Sequence, residues 1–255
     1  MIIERIEPST ADIEYIDASG YVPPQINDDR SEYANVVVNK PWGYEYVLFQ
    51  NDAVSAWVLF IQEGYQTSMH CHVDKKTSLI VLSGEIVCTT LNQSIARSAH
   101  NGLLLEKKVF HSSKTISPGG ALIMEIETPA NKRDLLRLDD KYGRKKKGYE
   151  GSRCCEKRSK DTHWSFVDNP DAKGEYTLGE ARIQIVAAQK YDQLAAHIKE
   201  DVDLIACVTS GNLRDAEGNN ILSHGDIVTA RELLSINEPV VENVELLLIK
   251  KNNHS

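Results

Sequence analysis

The chain has 255 residues, of which 41% are hydrophobic and 26% are charged, a composition typical of a globular protein with a sizeable core. Its length suits two domains of about 100–130 residues better than one. The net charge of −8 argues against a nucleic-acid partner, and five Cys without a CxxC pair indicate neither a disulfide framework nor a zinc ribbon. Because the N-terminal stretch is acidic and no apolar run approaches about 18 residues, we expect no secretory signal and no membrane span. A soluble, cytoplasmic protein is the expectation.

The hydrophobic pattern of the first half predicts short strands separated by turns that contain Gly or Pro. These strands are expected at residues 36–38, 44–49, 56–62, 78–82, 85–91 and 121–127. Helical patterns are limited to residues 11–16 and 190–199. Many short strands at this spacing are typical of a sandwich or a barrel, so the sequence predicts a mainly β protein.

The composition changes at residues 141–161, KYGRKKKGYEGSRCCEKRSKD, which are strongly basic and almost without aliphatic side chains. A nucleic-acid patch is one interpretation, but we favour a solvated linker. Strand-like patterning then returns at residues 181–187, 203–208, 227–230 and 244–249. The predicted organisation is an N-terminal arm (1–35), a first domain (36–145), a basic linker (146–163) and a second domain (164–255).

The two halves also share a short sequence echo. VLSGEI at residues 81–86 is matched by VTSGNL at residues 208–213. Because the echo falls at corresponding positions in each half, we expect a duplicated β-unit.

The densest group of potential metal ligands is Met69-His70-Cys71-His72. On a strand, residues two apart point to the same face, so His70 and His72 are predicted to project together while Cys71 points away. Two adjacent imidazoles can chelate a divalent metal, although two polar surface residues on an edge strand would give the same pattern. A third histidine, His111, follows a strand-like run at residues 103–110.

The spacing around these histidines resembles the first motif of the cupin superfamily: Gly, five residues, His-x-His, three or four residues, Glu, six residues, Gly. Gly64, the His-x-His pair and Gly84 match this spacing, and Thr77 stands at the Glu position. His111 is similar to the lone histidine of the second cupin motif. The resemblance implies a β-barrel in which His70, His72 and His111 bind a divalent metal such as Zn, Mn, Fe or Ni.

A closer resemblance is to the cupin domain of type II phosphomannose isomerases, the isomerase half of mannose-1-phosphate guanylyltransferases. Lys40-Pro41-Trp42-Gly43 resembles the Arg-Pro-Trp-Gly motif of that family, and DLLRLDDKYGR at residues 134–144 resembles its closing stretch. The similarity spans residues 36–145. It implies a metal-dependent isomerase or epimerase of a phosphorylated or nucleotide-linked sugar, serving surface-polysaccharide synthesis. In such an enzyme the metal polarises substrate oxygens while a base moves a proton between carbons.

Three further residues are predicted to be catalytic. Glu125 and Glu127 share one face of a strand, and because buried carboxylates are costly unless they are satisfied, a role inside the barrel competes with a solvent-facing edge. Arg137 occupies the position of the family's arginine. It could bind a phosphate bidentately or form an ion pair with Asp134 or Asp139.

Thr77 leaves two alternatives to the isomerase. Without the usual carboxylate the site resembles the three-His iron dioxygenases of the cupin superfamily. A cupin that binds sugar without catalysis is the other alternative.

The same motif spacing, applied to the second half, places its ligand positions at His197, Lys199 and Leu204. A protonated lysine does not bind metal, so the second unit is predicted to be a metal-free cupin that packs on the first. The predicted fold class is therefore all-β, with two cupin (double-stranded β-helix, jelly-roll) barrels of which the second is degenerate. Exposed β edges often pair across a two-fold axis, so a homodimer is expected.

Overall fold

The computed structural model describes residues 1–25, 30–144, 148–172, 174–199, 201–236 and 239–252. The described helices are α1 (Thr10–Ser19), α2 (Arg30–Tyr33), α3 (Tyr191–Lys199) and α4 (Ala230–Ser235). Helices α1 and α3 coincide with the two that the sequence predicted. Among the described residues, none of the helices is long and apolar enough to cross a membrane.

Strands of the first half form two sheets that face each other. Their bounds are β1 (Ile3–Ile6), β2 (Val36–Lys40), β3 (Gly43–Gln50), β4 (Ser55–Ile61), β5 (Met69–Cys71), β6 (Lys76–Ser83), β7 (Glu85–Thr90), β8 (Ser94–Ser98), β9 (Gly102–Leu105), β10 (His111–Thr115), β11 (Ala121–Thr128), β12 (Leu136–Asp139) and β13 (Cys155–Lys157). The large sheet has the order β1-β9-β6-β11-β4-β3-β2-β13, and the small sheet has the order β12-β5-β10-β7-β8. All pairings are antiparallel except that of β1 with β9.

The large sheet is covered on both faces, and strand β4 shows why its sequence is almost continuously apolar. Trp57, Leu59 and Ile61 belong to a core shared with Ile86 and Cys88 of the small sheet. The alternate side chains of β4 belong to a second core, which includes residues of the C-terminal half. Because successive side chains on a strand point to opposite faces, both sets are buried.

The C-terminal half contributes one further sheet. Its strands are β14 (Tyr176–Leu178), β15 (Ala181–Ala188), β16 (Leu204–Arg214), β17 (Asn220–Leu222), β18 (Ile227–Thr229) and β19 (Val240–Lys251). The order is β14-β15-β19-β16-β17, with β18 also pairing with β16. One face packs on the large sheet, and the other is covered by apolar residues of α3 and α4.

The all-β class is confirmed, and the two facing sheets of the first half form the barrel that the cupin resemblance implies. In the second half, the degeneracy goes further than the sequence indicated, because its described residues form a single sheet rather than a facing pair. The C-terminal sheet covers the outer face of the first barrel, as the sequence led us to expect, and α3 and α4 cover the opposite face of that sheet. The duplication itself stays a prediction.

The N-terminal arm packs against its own barrel. Strand β1 extends the large sheet beside β9, and the Asp12 carboxylate on α1 accepts a hydrogen bond from the Phe110 backbone N–H at 2.9 Å. Helix α1 begins at a capping box, in which Ser9 and Asp12 exchange side-chain and backbone hydrogen bonds. This arm therefore supports the start of β10, which carries His111.

The basic segment is only partly a solvated linker. Strand β13 lies within it and pairs with β2, and Arg158 is 5% exposed and bonded to Asp168 at 2.5 Å. Tyr149 and Glu150 turn toward the barrel, whereas residues 145–147 lie outside the described residues. Composition predicted solvation here because it could not reveal that several charged side chains, such as Arg144, Glu150 and Arg158, form buried ion pairs in the folded chain.

Candidate metal centre

Three histidines converge inside the first barrel. His70 on β5 lies directly opposite His111 on β10, and His72 follows β5 on the same face as His70. Their ring centroids are 4.5 Å apart for His70–His111, 5.1 Å for His70–His72 and 5.6 Å for His72–His111. One ring nitrogen from each lies within 4.8 Å of those of the other two. Cys71 points away and packs beside Phe110, as alternation on a strand requires.

The orientation of each ring is fixed by a backbone oxygen. The Nδ1 atom lies 2.8 Å from Ser68 O in His70, 2.6 Å from Asp134 O in His72 and 3.0 Å from Val109 O in His111. A carbonyl oxygen only accepts, so each Nδ1 carries the proton and each Nε2 keeps its lone pair for a ligand. Metal-binding histidines are held in this way by their second nitrogen.

The Nε2 atom of His72 shows that the site suits a cation. This atom is buried and has no hydrogen-bond partner within the described part of the chain. An unsatisfied buried acceptor is costly, and a divalent cation would satisfy it. The three imidazoles therefore fit a metal site of the three-His type, with positions left open for water or substrate.

The protonation state of the histidines agrees with this role. Burial lowers the pKa of His111 to about 4 and holds the pKa values of His70 and His72 well below their usual range. Neighbouring cations, Lys75 among them, act in the same direction. All three rings are therefore neutral near pH 7, the form that binds a metal.

Asp134 organises the turn that follows the His-x-His pair. Its carboxylate, fully buried, accepts hydrogen bonds from the backbone N–H groups of Val73, Asp74 and Lys75 at 2.8–3.1 Å. Its backbone oxygen accepts the Nδ1 proton of His72. Sequence reasoning considered Asp134 only as an ion-pair partner of Arg137, and no local pattern pointed to this role.

Glu125 and Glu127 face the barrel interior from β11, so the solvent-facing alternative is wrong. Glu127 is 1% exposed and bonds to Lys75 at 2.7 Å and to Lys132 at 3.3 Å. Glu125 has an oxygen 3.8 Å from Nε2 of His72. The two carboxylates thus share a face, but one is held by lysines and the other borders the histidines.

Their environments drive the two pKa values apart. Burial raises both, and it prevails for Glu125, whose pKa is raised to about 7 with a further increase from the charge of Glu127. For Glu127, the ammonium groups of Lys132 and Lys75 outweigh burial and lower the pKa to about 2. Paired groups separated in this way are typical of acid–base sites.

Thr77 lies beside the carboxylates, at the position where cupins usually carry a glutamate. It is directly opposite Glu127 in the β6–β11 ladder, so both side chains point to the same face. It is 1% exposed, and its Oγ1 has no hydrogen-bond partner among the residues described. Thr77 therefore faces the interior, as the cupin motif implies.

Arg137 lies next to the metal site but is not paired as the sequence led us to consider. It is opposite His70 in the β12–β5 ladder, and its guanidinium donates to Gly148 O at 2.7 Å and approaches Glu150 at 3.3 Å. Its carboxylate partner is thus Glu150, rather than Asp134 or Asp139. Glu150 is distant in sequence, which is why spacing did not reveal it.

The remaining wall of the site contains side chains that sequence reasoning did not assign to it. The ammonium group of Lys132 lies 4.0 Å from the ring centre of Trp57 and 3.4 Å from Glu45. Tyr149 donates its hydroxyl proton to Glu45. Together these groups border a cavity, whose lining is Lys40, Trp42, Glu45, Leu59, Thr67, Ser68, His70, His72, Glu125, Glu127, Lys132, Leu135, Arg137, Arg144 and Tyr149.

The ligand positions extrapolated to the second half do not form a site. His197 lies on α3, and Leu204 is buried in β16. Across the described ranges, the groups of side chains that could hold a metal all belong to the first barrel. That the second unit binds no metal stays a prediction.

Comparison with protein-family models and with curated proteins gives no match. Among solved structures, the chain is similar to KdgF from a Halomonas species, with 14% identity, 42% of this chain and 94% of that protein covered, and a TM-score of 0.36. It is also similar to the capsular polysaccharide assembling protein CapF of Staphylococcus aureus (14% identity; 41% and 34% covered; TM-score 0.36). An RmlC-like cupin from Shewanella frigidimarina gives 17% identity, 38% and 86% coverage, and a TM-score of 0.35. The strand order and the histidine positions of this chain itself carry the assignment of its fold.

Proposed function

We propose that this chain, which has the cupin fold, is a metal-dependent isomerase or epimerase acting on a small anionic sugar, such as a sugar phosphate or nucleotide sugar. The observation that carries the proposal is the convergence of His70, His72 and His111, each with its Nδ1 proton donated to a backbone oxygen. These three residues would hold a divalent cation, Zn, Mn, Fe or Ni. The cation would supply Lewis-acid polarisation of the substrate oxygens.

Glu125 is the proposed acid–base residue. It borders the histidines, and its pKa of about 7 lets it accept a proton and return it near neutral pH. Glu127 is too weak a base for this task, because Lys75 and Lys132 hold it ionised. Its role in the proposal is to keep those two ammonium groups in place beside the cavity.

The charges that line the cavity support an anionic substrate. Lys40, Lys132, Arg137 and Arg144 border the same space as the histidines, and they outnumber the three carboxylates of that lining, Glu45, Glu125 and Glu127. A bound cation would add further positive charge next to them. A sugar bearing a negatively charged group would therefore be attracted into the cavity and oriented there. Surface-polysaccharide synthesis, the setting that the family resemblance implies, is part of this proposal.

Proton exchange tests the proposal directly. With metal-loaded protein in D₂O, we expect NMR to show deuterium entering a carbon next to the carbonyl of an accepted sugar phosphate. Glu125→Gln removes the base, so exchange should fall at least about 100-fold. Glu217→Gln, at an exposed position in the C-terminal half, is the matched control and should leave the rate unchanged. Loaded protein that exchanges no proton with a panel of phosphorylated and nucleotide-linked sugars would overturn the proposal.

A three-His iron dioxygenase is the second candidate, and Thr77 is the observation that favours it. Its side chain stands where a ligating carboxylate would otherwise be. Oxygen uptake by iron-loaded protein, with incorporation of both oxygen atoms into a small-molecule product, would select this candidate. Sugar binding without exchange or oxygen uptake would instead select a non-catalytic cupin.

The proposal includes a homodimer. Strand β8 forms an edge of the small sheet, and its side chains alternate between exposed and half-buried, so the edge is open to a second copy. Light scattering of the purified chain should give twice the mass of 28.5 kDa.

A further inference from the structure

The Glu150 carboxylate is surrounded by three cations that line the cavity. Arg144 approaches Glu150 at 2.6 Å, Arg137 approaches the same oxygen at 3.3 Å, and Lys40 contacts the other oxygen. All four side chains are at most 10% exposed. Three buried cations directed at one carboxylate make a site that is built for negative charge.

The three cations come from separate parts of the first barrel. Lys40 ends β2, Arg137 lies on β12, and Arg144 follows the turn after it. All three line the cavity that also contains His70 and His72. Glu150, by contrast, is supplied by the segment that leads away from the barrel toward β13.

Each cation also has an anchor of its own. Lys40 lies 3.3 Å from Glu45, and Arg144 bonds to Asp140 at 2.7 Å. Arg137 donates to the backbone oxygen of Gly148. The cations would therefore keep their positions if the carboxylate of Glu150 turned away.

We propose that Lys40, Arg137 and Arg144 form a binding site for a phosphate group, and that the Glu150 carboxylate fills this site until a phosphorylated ligand displaces it. This deepens the proposed function, on which it rests, by naming the charged group of the substrate and the residues that bind it. A phosphate monoester brings up to two negative charges and three acceptor oxygens, where Glu150 brings one charge and two oxygens. The planar forks of two arginines suit those oxygens, and the lysine adds a third donor.

Only the side chain of Glu150 needs to move in this exchange. Its backbone oxygen accepts a hydrogen bond from the Tyr33 hydroxyl at 3.3 Å, and the neighbouring Tyr149 is tied to Glu45. The main chain on this side of the site is thus held independently of the carboxylate. Rotation of the Glu150 side chain would free the three cations without moving the main chain around them.

Phosphate binding by the full-length protein, stripped of metal, tests the displacement. Inorganic phosphate and a hexose phosphate are titrated by calorimetry into the wild type and into Glu150→Gln. Because the competing charge is gone, we expect both ligands to bind the variant at least tenfold more tightly. Arg144→Met in the same background should reverse the gain.

Glu156→Gln is the matched control, since it removes a negative charge from the same segment at an exposed position whose partner is Asn39 rather than one of the three cations. We expect it to change phosphate affinity less than threefold. If Glu150→Gln does not fold, Glu150→Asp replaces it, because its shorter side chain cannot reach all three cations and should strengthen phosphate binding about threefold.

Unchanged or weaker phosphate affinity in the Glu150 variant would overturn the inference, as would an equal gain in Glu156→Gln. The outcome is separate from that of the proposed function, because no metal or turnover is involved. If the protein binds metal and exchanges protons but Glu150→Gln does not change phosphate affinity, the proposed function stands and the phosphate site fails. If Glu150→Gln strengthens phosphate binding but no proton exchange occurs, only the phosphate site stands.

Discussion

At the scale of single residues, the position of a proton determines what the histidines can bind. Three backbone oxygens hold the three Nδ1 protons, so the Nε2 atoms share one space without competing donors. Burial then keeps the rings neutral. A set of histidines on a solvent-exposed edge strand would lack both features, and this separates the metal interpretation from the surface one.

The depressed histidine pKa values predict acid sensitivity of the metal-free protein. His111 has a pKa of about 4 in the folded chain and about 6.5 when unfolded. Between these values the unfolded state binds more protons, so stability falls as the pH drops from 6.5 toward 4, by about 3 kcal/mol for this residue alone. Urea unfolding as a function of pH measures the loss. His111→Asn should flatten the profile in this window, and an unchanged slope would contradict the assignment.

Thr77→Glu is expected to tighten metal binding at least about tenfold, the scale on which groups around a metal site act. The reason is that position 77 faces the barrel interior and the new carboxylate would reach the three-His site. Competition with a chelating dye measures the affinity. Thr177→Glu, at an exposed position of β14, is the control and should have no effect. Equal affinities for wild type and Thr77→Glu would place the side chain away from the metal.

At the scale of elements, short strands position the three histidines, and the buried Asp134 fixes the orientation of one of them. Strands β5 and β10 bring His70 opposite His111. Asp134, which lies just before β12, accepts the Nδ1 proton of His72 at its backbone oxygen and holds the turn after His72 through its carboxylate. The candidate metal site therefore depends on the β5–β10 pairing and on one aspartate, rather than on the His-x-His segment alone.

Asp134→Ala is predicted to cost about 3 kcal/mol of unfolding free energy, since three backbone N–H groups lose their acceptor. Metal affinity should fall with it, because the turn no longer holds His72. Urea unfolding and dye competition measure the two effects. Asp171→Ala, at an exposed position outside the barrel, serves as the control. A variant with wild-type stability and affinity would show that the aspartate does not support the site.

The sequence predicted what depends on local pattern. Alternation placed the strands, and the motif spacing singled out His70, His72 and His111, which the structure brings together. The residues that it did not assign act through contacts distant along the chain: His72 meets Asp134 across 62 positions, and Lys40 meets Glu150 across 110. A single sequence carries no local signal for such pairs. The basic composition of residues 141–161 therefore predicted a solvated linker, whereas the folded chain forms buried ion pairs there.

At the scale of the whole molecule, the large sheet is the middle layer of three. Ile80 and Met124 on its outer face share a core with Ile205 and Leu247 of the C-terminal sheet. Lys76 pairs with Asp226, and Ser78 donates to Gly225 O at 2.8 Å. Strand β6, which carries Thr77 toward the barrel interior, is thus held on its outer face by contacts with the C-terminal half. These contacts give the C-terminal half a structural role that requires no metal.

This shared core predicts that the two halves unfold together. Trp42 and Trp57 lie in the core of the first barrel, whereas Trp164 stacks on Tyr176 of β14. In a Trp164→Phe variant, fluorescence therefore reports on the barrel while far-UV circular dichroism reports on the whole chain. The two probes should give coincident transitions in urea. Different urea midpoints for the two probes would show that the C-terminal sheet and the first barrel unfold independently, contrary to this prediction.

Metal analysis of protein purified without chelator decides whether the three histidines bind a metal. We expect about one divalent ion per chain, held by the three-His site. His70→Ala and His111→Ala should each abolish binding, while His197→Ala, on α3 of the C-terminal half, should retain it. Folded wild type without bound metal, or full occupancy in His70→Ala and His111→Ala, would show that these histidines are not metal ligands.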